Sequence, residues 1–82
     1  YAEKIRERAF YSKEFSNKST QLMLFGMLLA LGSNTAEFHA RAALRSGATQ
    51  EELDTIVALA SAAGMLIRLN QGGAMMKRIS EG

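Results

Sequence analysis

The chain has 82 residues, a formal charge of +2, 48% apolar residues, and neither cysteine nor proline. A chain this short holds one domain, spanning residues 1–82, and such a domain buries only about 60% of the surface its unfolded form exposes. The lack of cysteine excludes disulfides, thiolate metal sites and a thiol nucleophile within these residues, and the interleaved Glu3, Lys4, Arg6, Glu7 and Arg8 argue against nucleic acid as a main partner.

Alanine, leucine and methionine dominate over β-branched residues, so local preference favours helix and the expected fold is all-α. A first helix is expected over residues 2–15, where Tyr1, Ile5 and Ala9 recur at helical spacing and Tyr11 and Phe15 form an i,i+4 pair beside Phe10. The polar break Ser16, Asn17, Lys18, Ser19 offers capping side chains, which places the next helix start near Ser19 or Thr20. That second helix is apolar on every face from Leu22 to Leu31 and should be buried all round. It falls well short of the roughly 20 residues of a membrane span, so no membrane partner is expected.

Gly32, Ser33 and Asn34 make the next break, with Ser33 or Asn34 as N-cap and Glu37 placed to complete a capping box with Asn34. The third helix runs to about Ser46, Gly47 supplies a left-handed terminal residue, and Thr49 with Glu52 forms a second capping box. From Leu53 to Ile67 the apolar positions are nearly continuous. Gly64 marks a bend, and Gly72 with Gly73 weakens helix continuity before a final segment carrying Met75, Met76 and Ile79. The result is a helical hairpin core within about five helices, two of them more apolar than so small a monomer can cover, and a homo-oligomer is therefore expected. The chain starts at Tyr1 without an initiating methionine, which leaves room for an N-terminal segment and any targeting signal it carried; the cytoplasm is the default expectation.

The segment from Leu22 to Gly64 resembles the core hairpin of the carboxymuconolactone decarboxylase and alkylhydroperoxidase D family. The resemblance lies in an apolar helix ending at Leu29, Ala30, Leu31, then Glu37, Phe38, His39, Ala40, Arg41, Ala42, Ala43, Leu44, then Gly47, Ala48, Thr49, Gln50, Glu51, Glu52, Leu53. It implies a helical fold that assembles as trimers or hexamers. Members with peroxidase activity carry two cysteines, which fall here at Gly32 and Thr35, and a glutamate early in the preceding helix, near Thr20 or Gln21; an acid is also common near Thr55. Of that relay only His39 remains. Relatives without the cysteine pair work by acid–base chemistry on a small carboxylated lactone, which implies His39 and Glu37 as catalytic groups and Arg41 as a substrate-binding cation.

Each of these residues also has a plainer reading. A lone histidine is often a hydrogen-bonded core or interface residue, although an imidazole titrates near neutrality and suits proton transfer. Glu37 can cap Asn34 or pair with Arg41 at i,i+4, and two residues along a helix from His39 it points elsewhere. Arg41 and Arg45 lie one turn apart, and a carboxylate substrate could sit between them. Arg68 reads as an interface ion-pair partner or a snorkelling side chain. Met23, Met27, Met65, Met75 and Met76 read as core filler rather than metal ligands, and Gly72 with Gly73 follows no strand and is no phosphate loop. Neither metal nor cofactor is expected. The alternative to a small-molecule enzyme is a non-catalytic helical module for oligomerisation or partner binding.

Overall fold

The computed structural model describes residues 2–11 and 13–82, and these form four helices: α1 (Ala2–Phe10), α2 (Asn17–Ala30), α3 (Ala36–Arg45) and α4 (Gln50–Glu81). Helix α1 stops at Phe10, short of the expected residue 15, and Tyr11 and Phe15 both lie exposed in the bend that follows. The role expected for Tyr1 lies outside the described residues. Helix α2 starts earlier than expected, at Asn17, because the Ser16 hydroxyl accepts from the Ser19 backbone N–H at 3.1 Å and serves as the cap.

Helices α2 and α3 form an antiparallel hairpin closed by a tight turn. The turn begins at Gly32, whose φ of +78° is a backbone conformation open to glycine at little cost, and Ser33 N–H donates to the Leu28 carbonyl across it. Helix α3 ends the same way: Gly47 sits at φ +100° and Ala48 N–H donates back to Ala43. The capping box expected between Asn34 and Glu37 does not form. Thr35 occupies the N-cap position without a side-chain cap, the Ser33 hydroxyl accepts from the Thr35 N–H at 3.2 Å, and Glu37 turns to Arg41 instead. The second box does form, with Glu52 N–H donating to the Thr49 hydroxyl and Thr49 N–H to the Glu52 carboxylate.

From that cap α4 runs unbroken for 32 residues, so the bend at Gly64 and the separate final helix are absent, and four helices stand where about five were expected. Each glycine costs a helix about 1 kcal/mol relative to alanine, which a helix this long absorbs without breaking. Helix α4 lies beside α2, with Lys18 and Glu52 paired at 2.9 Å at one end and Leu29 and Ala30 sharing a cleft with Ala60 and Gly64 at the other. Gly26 permits this approach: a Cβ there would stand 3.0 Å from Ile56 Cγ2.

The core is small. Phe25, Ala36, Ala43, Ala48 and Leu53 are buried, with Leu22, Leu28, Leu29, Ala40 and Ile56 packed against them. The two helices expected to carry more apolar surface than one chain can cover are left partly open in it, with Met27 and Leu59 each about 60% exposed. No described helix is long and apolar enough to cross a membrane.

Candidate functional site

The apolar residues of α3 recur along one face, with Ala36, Ala42 and Ala43 buried, and His39 falls on that same face. It is 8% exposed, a polar ring placed among alanines against α2. A group so placed needs a partner, and Gln21 on the first turns of α2 supplies it: His39 Nδ1 donates to Gln21 Oε1 at 2.7 Å. With an amide oxygen facing it, Nδ1 carries the ring proton, which leaves Nε2 as the nitrogen able to take one up.

Two aromatic rings frame the imidazole. Phe10, from the last turn of α1, stacks on it with centroids 6.3 Å apart and planes 18° from parallel. Phe38 meets it edge-on at 5.2 Å. The site therefore draws on three helices: α3 for the ring, α2 for its orientation and α1 for one wall.

The other residues expected at the site lie elsewhere. Arg41 donates through Nε and Nη2 to Glu37 Oε2, at 3.2 and 3.0 Å, and both side chains are about 70% exposed. Among the described residues, neither is hydrogen-bonded to His39. A pair this open contributes little stability, about 0.3–0.5 kcal/mol at i,i+4. Gly32 and Thr35 lie in the turn before α3. A cysteine at 32 would have to hold φ +78°, a conformation that costs most side chains about 1–2 kcal/mol. Thr55 Oγ1 donates to the Glu51 carbonyl at 3.0 Å, so its hydroxyl is taken up within its own helix.

Gln21 is the residue that reasoning along the chain missed as a partner of His39. The signal was its position: the resemblance puts an acid near Thr20 or Gln21, and the structure brings Gln21 against the ring while Thr20 is buried beside it. Phe10 carried no comparable signal. A groove of about 590 Å³ opens between α1 and α2, lined mainly by Ile5, Phe15, Met23, Leu24 and Met27 with Arg8 and Glu14 among its polar groups; His39 does not line it.

Among the described residues, the Glu52 carboxyl is tuned by its surroundings. The Lys18 ammonium beside Glu52 holds that carboxyl below its ordinary value, and the Thr49 backbone N–H adds to the effect. It pins the start of α4 to the start of α2, alongside a hydrogen bond from Asn17 Nδ2 to the Ser46 hydroxyl.

A model of the carboxymuconolactone decarboxylase family matches residues 1–76, nearly the whole chain. The chain belongs to that family. In this carboxymuconolactone decarboxylase family domain α2 and α3 form the hairpin that carries His39, and its 82 residues contain no cysteine. No curated protein and no solved structure matches it.

Proposed function

We propose that the chain is an acid–base member of the carboxymuconolactone decarboxylase family, decarboxylating a small carboxylated lactone without thiol chemistry. The observation that carries this reading is the buried imidazole of His39, oriented through Nδ1 by Gln21, with an aromatic wall on one face. A ring held this way is a proton-transfer group of fixed geometry. In the reaction the bond between the substrate carbon and its carboxylate breaks, carbon dioxide leaves, and the electron pair stays on the lactone, where the ring carbonyl spreads it. His39 delivers the proton that completes the product.

Arg41 and Glu37 take subordinate roles in this proposal. Arg41 is the cation for a substrate carboxylate, and Glu37 holds it until substrate exchanges for that carboxylate. Cytoplasmic location and assembly with further copies of the chain belong to the same reading. A non-catalytic role as an oligomerisation module is the second reading, favoured by the many apolar side chains left open on α2 and α4.

Release of carbon dioxide from a carboxylated lactone by the purified full chain distinguishes the two. The proposal expects turnover that His39→Ala abolishes through kcat and that Arg41→Ala weakens mainly through KM. Peroxide with a thiol reductant should give no turnover above the buffer blank. Equal decarboxylation by the His39→Ala variant would overturn the proposal, and no turnover with any such lactone would leave the module reading in its place.

A further inference from the structure

The exposed surface of the chain is 6543 Å². A compact protein of 8.9 kDa exposes about 4,800 Å², so the excess is about 1,700 Å². One partner in a standard protein interface contributes about 800 Å². The source of the excess is α4, whose length of about 48 Å nearly equals the longest dimension of the molecule, 52 Å. Beyond Arg68, which still lines the cleft with Leu29 and Ala30, every residue but Gly72 is exposed.

The outward face of α4 carries a regular pattern. Leu53, Ile56 and Ala60 point inward, and on the opposite side Thr55, Leu59, Ala62, Leu66, Leu69 and Gly73 follow one another at alternating steps of four and three residues, as does Met76 after them. All are exposed in the single chain. This is the heptad spacing of a coiled-coil seam, running the length of the helix. Thr55 fits it despite its hydroxyl, since that group is bonded to the Glu51 carbonyl.

We propose that this seam is an interface with the same seam of a second copy, the two α4 helices running antiparallel about a two-fold axis beside Gly64. Charge sets the direction. The helix carries Glu51 and Asp54 near its start and Lys77 and Arg78 near its end, so parallel copies would oppose like charges and antiparallel copies opposite ones. In the antiparallel register Leu59 packs against Leu69 of the second copy, Ala62 against Leu66, and Thr55 fills the space at Gly73, where nothing lies within 4 Å of a Cβ. Glu51 then meets Lys77, and among the described residues neither has an ion pair within its own chain. Each projecting end comes to rest on the outer face of its neighbour's anchored half. The arrangement rests on the self-association included in the functional proposal and names its surface; it is independent of the acid–base chemistry.

The chain has no cysteine, so introduced pairs report without background. Leu59→Cys with Leu69→Cys in the full chain should yield a covalent dimer on mild oxidation, while each single variant stays uncrosslinked. Positions 59 of two antiparallel copies, and positions 59 and 69 of one helix, lie about 15 Å apart, beyond disulfide reach. Thr55→Cys with Gly73→Cys is a second pair with the same expectation, used if the first loses its helical circular dichroism. Crosslinking of Leu59→Cys alone would mean parallel copies and overturn the proposal. An oligomer by light scattering with neither pair crosslinked would overturn the seam while sparing self-association, and a monomer would overturn both.

Discussion

His39 and Gln21 are bonded across the hairpin at 2.7 Å, eighteen residues apart in sequence. His39 is the buried partner and Gln21 is half-buried, so removing Gln21 leaves the ring nitrogen without its bond, at a cost of about 1–3 kcal/mol. Gln21→Ala and His39→Ala should therefore each destabilise the chain, and the double variant should lose less than the sum, by about 0.5–1.5 kcal/mol. Chemical denaturation of the four proteins in this cycle checks it, and strict additivity would mean the bond contributes nothing. How much of the site could be read beforehand follows from the same distances. Glu37 and Arg41 are one turn apart on one helix, and their pairing was legible from spacing alone. The bond from His39 to Gln21 depends on the register of α2 against α3, which no local rule supplies, and only the family resemblance pointed to that part of α2. Phe10 reaches the ring from a helix with no buried residue of its own, and the apolar spacing read there, through Ile5 and Ala9, did not include it.

At the scale of elements, local chemistry decided the boundaries where a cap had one candidate and misled where it had several. Thr49 with Glu52 was unambiguous and formed. Between α2 and α3, Ser33 and Asn34 were both candidate caps, yet Thr35 took the position, and the turn at Gly32 has backbone bonds of its own. Glycine within helices misled in a different way. Gly64, Gly72 and Gly73 read as interruptions, but a cost of about 1 kcal/mol each is small beside the cooperativity of a long helix. Gly64→Ala should stabilise the chain by about 1 kcal/mol, because nothing lies within 4 Å of its added Cβ. Gly26→Ala should show no such gain, because Ile56 must give way, and a thermal melt that rose equally for both would contradict the close packing of α2 on α4. The Lys18–Glu52 pair predicts a pH effect of definite sign. The Glu52 carboxyl is lowered in the folded chain, so its contribution is present above the unfolded value, about 4.3, and is lost as pH falls through the folded one. Glu52→Gln should accordingly flatten the acid side of the stability profile, and an unchanged profile would show the pair to be idle.

For the whole molecule, the radius of gyration is 16.6 Å, against about 12 Å for a compact domain of this length. The all-α class and its hairpin were legible because propensity, capping and the apolar runs agree along the chain. The extended shape was legible only as a surplus: two helices carried more apolar surface than their neighbours could cover, and nothing local said where the rest would go. In the single chain Leu31, Leu69, Met76 and Ile79 are each more than 60% exposed, a surface that association would bury. On the proposed reading the site shares this condition, since His39 sits in the hairpin against which α4 packs. On the proposal made above, one chain is an unfinished unit completed by its own copies. Sedimentation equilibrium of the full chain at micromolar concentration tests that most directly. A mass of twice 8.9 kDa or a higher whole-number multiple is the predicted result, and a folded, helical monomer across that range would contradict it.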